Sequence, residues 1–174
     1  EYMNETYAKK QVSRKDQLFM VVQDLTSGTL LVAIRPRRRV KAASLIKVPI
    51  LHAYQLERLR KRVQHTSGHQ DHLARMIRYS SNASTNVILK RLGGPNKVQR
   101  LLRETNMYRE LRLVEYIPAD GRTYRNKLSM ADLSSLFHRL WIGRVLGPGF
   151  SDLENEQASA QMLHLPSLSG RSDN

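Results

Sequence analysis

Lys41-Ala42-Ala43-Ser44-Leu45-Ile46-Lys47-Val48-Pro49-Ile50 is the stretch on which the reading of this chain turns. Ser44 and Lys47 stand three apart at the front of an apolar run, and on a helix that spacing puts both side chains on one face. A hydroxyl beside an amine is a nucleophile–base arrangement. Pro49 removes one backbone bond and fits a helix only near its first turn, so the stretch predicts a helix beginning at Ala43-Ser44. Ser44 would then meet the positive end of the helix dipole, which favours developing negative charge. The spacing by itself decides little. With 15 Ser and 9 Lys in the chain, about one Ser-x-x-Lys is expected by chance, and a capping Ser followed by a solvated Lys has the same signature.

Outward from this stretch, Leu45, Val48, Leu51, Leu56 and Leu59 mark the expected apolar side of the helix, with Glu57 to Arg62 at its exposed end. Upstream lies the basic cluster Arg35-Pro36-Arg37-Arg38-Arg39. Before it, Leu18–Leu25 and Thr29–Ile34 are β-rich runs joined by Thr26-Ser27-Gly28, a hairpin that must pack on a helix or join further strands to be stable. Downstream, Gln64–His69 reads as a polar connector. Leu73, Met76 and Ile77 form the inner side of a short helix ending near Tyr79, and Ser80-Ser81-Asn82 breaks it. Ala83–Leu92 resumes as helix, Gly93-Gly94 closes it, and Pro95 opens the next through Val98, Leu101 and Leu102. Asn106–Leu128 lacks helical period and contains Pro118 and Gly121, which predicts a long loop shaped in part by Asp120 and Asn126. Ser129 with Asp132 and Ser151 with Glu154 are capping patterns. The first precedes an expected buried face of Leu133, Leu136, Phe137, Leu140 and Trp141, and the second a last helix through Met162 or Leu163. Three units are expected: residues 1–43 as N-terminal segment and hairpin, 44–165 as a helical lobe, and 166–174 as a polar tail.

Composition narrows the classes. With 40% apolar residues in 174, the chain has enough for a core in one domain or two lobes sharing one. There is no run of about 18 apolar residues and hence no membrane span. The absence of Cys excludes disulfides and Cys-based metal sites, and His52, His65, His69, His72, His138 and His164 show no coherent metal spacing, so neither metal nor cofactor is expected. Twenty-nine Lys and Arg against 15 Asp and Glu give a net charge of +14, which favours anionic partners such as nucleic acid, phospholipid surfaces or acidic cell-wall polymers. No aromatic residue interleaves with Arg35–Arg39, so a stacking platform for RNA or single strands is disfavoured, and Arg37 to Arg39 read as a solvated turn. Glu1 to Lys10 is polar, so no signal peptide is legible, and a mature secreted protein would have lost one.

The order of these parts resembles the class A β-lactamases and their penicillin-binding relatives. That family carries Ser-x-x-Lys at a helix start after a hairpin, then Ser-Asp-Asn in a break between helices. Here the boxes are Ser44-Leu45-Ile46-Lys47 and Ser80-Ser81-Asn82, with Ser for Asp in the middle, and Ala83-Ser84-Thr85-Asn86-Val87-Ile88-Leu89 is similar to the family's following helix. The likeness runs from Leu18 to Leu163. It implies an α+β fold, mostly α in this chain, with a hairpin and a helical lobe. It further implies a serine hydrolase acylated on Ser44 by a β-lactam or a D-alanyl peptide of peptidoglycan, in the periplasm or outside the cell. Lys47 would take the proton of Ser44 as the neutral amine, which at pH 7 costs about 4.6 kcal/mol from an unperturbed pKa; burial and a second cation would shift that pKa down. Ser80 would relay a proton to the leaving nitrogen, and Asn82 would hold the substrate amide and orient Lys47. The N–H of Ser44 would serve the oxyanion.

Two departures qualify the resemblance. No Lys is followed by a hydroxyl residue and Gly, so the third box is missing. The chain is therefore expected to be an N-terminal portion of a longer protein or to have its sheet completed by a second chain, with an exposed edge and no full activity alone. The family's deacylating acid has one candidate, Glu115, but no Asn follows at the family's spacing, and Glu115 reads as a solvated loop residue. Without that acid the acyl-enzyme would persist, as in penicillin-binding or peptidase-like proteins. The rival readings are a catalytically inactive binding protein on the same fold and a basic helical nucleic-acid-binding protein.

Overall fold

The computed structural model describes residues 17–118, 125–147 and 149–164. The expected units at 1–43 and 166–174 thus fall partly or wholly outside the described residues, as does Asp120. Strands β1 (Met20–Gln23) and β2 (Leu30–Ile34) pair antiparallel with a bulge between Val22 and Gln23. Their turn is tied by Asp24, whose carboxylate accepts the N–H groups of Thr26 and Ser27 and the Ser27 hydroxyl, while Gly28 takes the left-handed conformation with φ of 73°. A second antiparallel ribbon joins β3 (Val40–Lys41) to β4 (Lys127–Leu128). It ties the approach to Ser44 to the end of the long loop, and it is not legible in the sequence because two-residue strands carry no period. The rest is helical: a 3₁₀ turn at Ala43–Ile46, then α1 (Lys47–Leu59), α2 (Ser67–Arg78), α3 (Asn82–Arg91), α4 (Pro95–Glu104), α5 (Met130–Trp141) and α6 (Asp152–His164). This is the mostly helical α+β architecture expected, with an incomplete sheet. Among the described residues each sheet has two strands, and Leu30 and Leu31 on β2 stand more than half exposed.

Helix α1 is the axis of the core. The expected one-sided apolar face is wrong: Leu45 is exposed, and ten of the thirteen residues of α1 are buried, including Lys47, His52, Gln55 and Glu57. The reason is that α2, α3, α4 and α6 all pack on it, so it has almost no solvent face. Another difference concerns α5. Leu133, Leu136 and Leu140 point inward, but Phe137 and Trp141, expected in the core, are 45% and 61% exposed. They lie one position off the inward stripe. Phe137 lines a cleft against Val21 and Leu25 of the hairpin region instead. Helix α2 starts earlier than expected, because Thr66 caps it by accepting the N–H of His69.

A buried His in α1 gives the first testable consequence. His52 bonds the Tyr108 hydroxyl through Nδ1 at 2.9 Å, and burial pushes its pKa from 6.5 to about 3, with the charge of Arg139 pushing the same way. Below pH 6.5 the unfolded chain takes a proton that the folded chain refuses, so stability falls as pH drops from 6.5 toward 3. The urea midpoint should decline through that window, and His52→Gln should flatten the decline.

The long loop is ordered without secondary structure because side chains take the place of a ladder. Asp132 of α5 accepts the N–H groups of Arg109 and Glu110. Gln99 of α4 donates to the Leu111 carbonyl and accepts from the Leu113 N–H. Asn126 accepts from Val114 and Glu115 and donates to the Glu115 carbonyl. Asn86 of α3 donates to the Ile117 carbonyl at 2.7 Å and accepts its N–H at 2.9 Å.

Candidate active site

The two motifs meet at one nitrogen. The amine of Lys47 lies 3.1 Å from Ser44 Oγ, 2.7 Å from Ser80 Oγ, 2.6 Å from the Ser80 carbonyl and 2.9 Å from Asn82 Oδ1. The Ser80 hydroxyl donates to Ser44 Oγ at 2.8 Å. Lys47 is 2% exposed, whereas Ser44 and Ser80 are exposed. The amine is therefore sheltered beneath two hydroxyls that face solvent.

Local backbone explains the convergence. Ser44 sits in the 3₁₀ turn just before α1, and Lys47 opens α1 itself. Ser80 follows the end of α2 in the left-handed conformation, φ 53°, and Ala43 beside Ser44 has φ 44°. Each costs a residue with a Cβ about 1–2 kcal/mol. A helix end of this kind usually takes Gly. At Ser80 the strained turn aims both the carbonyl and the hydroxyl at Lys47, which a Gly could do only in part. Ser81, where the resembling family has Asp, caps α3 by accepting the Ser84 N–H. Asp and Ser are equivalent caps, so Ser81→Asp should leave thermal stability within about 0.5 kcal/mol of the parent.

The hydrogen-bond count bears on protonation. Four acceptors surround Lys47 Nζ, one more than an ammonium has protons. An ammonium there gives two protons to the pure acceptors, the Ser80 carbonyl and Asn82 Oδ1, and the third to one of the two hydroxyls; loss of that third proton leaves a lone pair facing the hydroxyls of Ser44 and Ser80. Burial lowers the pKa of Lys47 from 10.5.

Glu115 does not join this group. Its carboxylate accepts the backbone N–H of Arg125 and makes no hydrogen bond to Ser44, Lys47, Ser80 or Asn82. Asn86 lies one helical turn beyond Asn82 on α3 and grips the backbone of Ile117. That residue is apolar and 4% exposed. The clamps at Gln99, Asn86 and Asp132 were not anticipated, since an amide on a helix gives no sign of which loop it will hold. Among the described residues no group of three or more His, Asp or Glu is placed to bind a metal. His65 and His69 have their Nδ1 atoms engaged with the Tyr54 hydroxyl and the Gln64 carbonyl. No helix among the described residues is long and apolar enough to cross a membrane.

Comparison with known proteins bears on this geometry. The family model for the β-lactamase enzyme family matches residues 59–162. This stretch includes Ser80 and Asn82 but not Ser44 or Lys47, so the match is independent of the first motif. A solved variant of class A β-lactamase from the last common ancestor of Gram-negative bacteria superposes with a TM-score of 0.69 at 17% identity, over 97% of this chain and 71% of its own. A mutant of the same ancestral enzyme, bound to the transition-state analogue 5(6)-nitrobenzotriazole, gives 0.65 at 19% identity, over 85% of this chain and 64% of its own. At such identities the likeness is one of fold. No curated protein matches the chain.

Proposed function

The chain belongs to the β-lactamase enzyme family, and on that footing we propose that it is the serine acyl-transfer unit of a penicillin-binding or peptidase-like protein, acylated on Ser44 by a β-lactam or a D-alanyl peptide. The observation that carries this reading is the single buried amine within 3.1 Å of the Ser44 hydroxyl and 2.7 Å of the Ser80 hydroxyl. Lys47 takes the proton as Ser44 Oγ bonds to the acyl carbon. The Ser44 N–H, at the start of the helical segment, faces the developing oxyanion. As the acyl–nitrogen bond breaks, Ser80 gives its proton to the leaving nitrogen and recovers one from Lys47. Asn82 holds the amine in place and offers its amide to the substrate.

The acyl-enzyme is proposed to be long-lived. Glu115 is turned to the Arg125 backbone and bonds none of Ser44, Lys47, Ser80 and Asn82, so it is not placed to activate water at Ser44. The sheet begun by the hairpin is proposed to be completed by further strands, from a second polypeptide or from more chain, over the exposed Leu30 and Leu31. A periplasmic or extracellular setting accords with a peptidoglycan substrate. A fluorescent penicillin tests the reading on this chain and on the natively isolated protein. Covalent labelling that survives denaturation, and disappears in Ser44→Ala, is the expected result. Absence of labelling in both preparations would favour an inactive binding protein on this fold.

A further inference from the structure

We propose that a cavity remote from Ser44 is an anion site for a phosphate-bearing ligand, gripped by Arg37, Arg109 and Arg139. The cavity holds about 370 Å³ and lies between the β2–β3 turn, the start of the long loop and α5. None of Ser44, Lys47, Ser80 and Asn82 lines it. Its three arginines come from three separated segments, and among the described residues none of their side chains makes an ion pair.

The carboxylates in the same wall are already committed. Glu110 pairs with Arg39 at 3.1 Å. Asp132 is 3% exposed and accepts the backbone N–H groups of Arg109 and Glu110. Beside these two carboxylates the lining carries three arginines and the neutral side chains of Asn106 and Ser135, so the wall is net positive. An anion between the arginines would offset their mutual repulsion. Guanidinium is the side chain whose planar fork matches phosphate oxygens two at a time. The cavity also gives a purpose to Arg37 of the basic cluster, which reads from sequence as a solvated turn, and to part of the +14 charge.

The phosphate can belong to a free phosphorylated solute or to the repeating unit of a polymer or headgroup, so two probes are used. Calorimetric titration with pyrophosphate and with glycerol phosphate, at ionic strength held constant with chloride, should show saturable binding at one site, and the tighter probe identifies the source. Arg37→Gln, Arg109→Gln and Arg139→Gln should each weaken that binding about tenfold or more, the loss of one charge-assisted contact. Arg100→Gln, an exposed arginine on α4, should leave it unchanged. Arg37 and Arg109 are exposed, so their variants remain informative if Arg139→Gln misfolds. Failure of both probes to saturate, or an equal loss in Arg100→Gln, overturns the proposal.

Discussion

Lys47→Met should slow acylation of Ser44 by about 10²–10⁴-fold, the usual contribution of a positioned general base, while leaving the protein at least as stable as its parent. The two halves of this expectation have one cause. Lys47 is almost wholly buried, and burial lowers its pKa from 10.5. An unfolded lysine holds its proton more tightly than the folded one. Between the folded pKa and 10.5 the unfolded state therefore carries more protons, and stability rises with pH. Below the folded pKa the sheltered ammonium is a standing cost to the fold. Methionine has a similar length and no charge to desolvate. The acceptors it deserts belong to Ser80, which is exposed, and Asn82, which is partly so, and water can replace the lost N–H groups. Stability measured by urea and acylation measured by penicillin labelling should move apart. A variant that lost both together would show Lys47 to be structural.

Asn86→Ala should have the largest effect on stability, about 2–4 kcal/mol. The Asn86 side chain satisfies both the N–H and the carbonyl of Ile117, in a residue 4% exposed, and leaving a buried backbone group without a partner costs about 1–3 kcal/mol. Asn86→Asp keeps the acceptor and loses the donor, so it should fall between parent and Ala. A denaturant midpoint unchanged in Asn86→Ala would mean that the loop is held by its other clamps alone. Limited proteolysis should place the new cleavage between Asn106 and Pro118.

Much of this arrangement was legible beforehand because it rests on local rules. Pro49 placed the helix start beside Ser44, Gly93-Gly94-Pro95 separated α3 from α4, and Ser129 and Ser151 marked two further helix starts, all confirmed by their backbone. The pairing of Ser44 and Lys47 with Ser80 and Asn82 was expected only through the resemblance to a family. No spacing rule brings residues 33 and 35 positions apart into contact. What could not be read was set by tertiary packing. A one-sided pattern on α1 gave no sign that four helices would surround it, and the placing of Phe137 and Trp141 depended on a rotation of α5 that hydrophobicity leaves open. The clamps on the long loop join side chains to backbone, which has no sequence of its own to read.

The measurement that bears most directly on the role of the Lys47 amine is the pH dependence of the acylation rate, followed as the mass of the Ser44 adduct. The rate should climb with pH and level off above an inflection lying below 10.5, and that inflection should vanish in Lys47→Met. A rate indifferent to pH, or an inflection retained after Lys47 is replaced, would contradict the account.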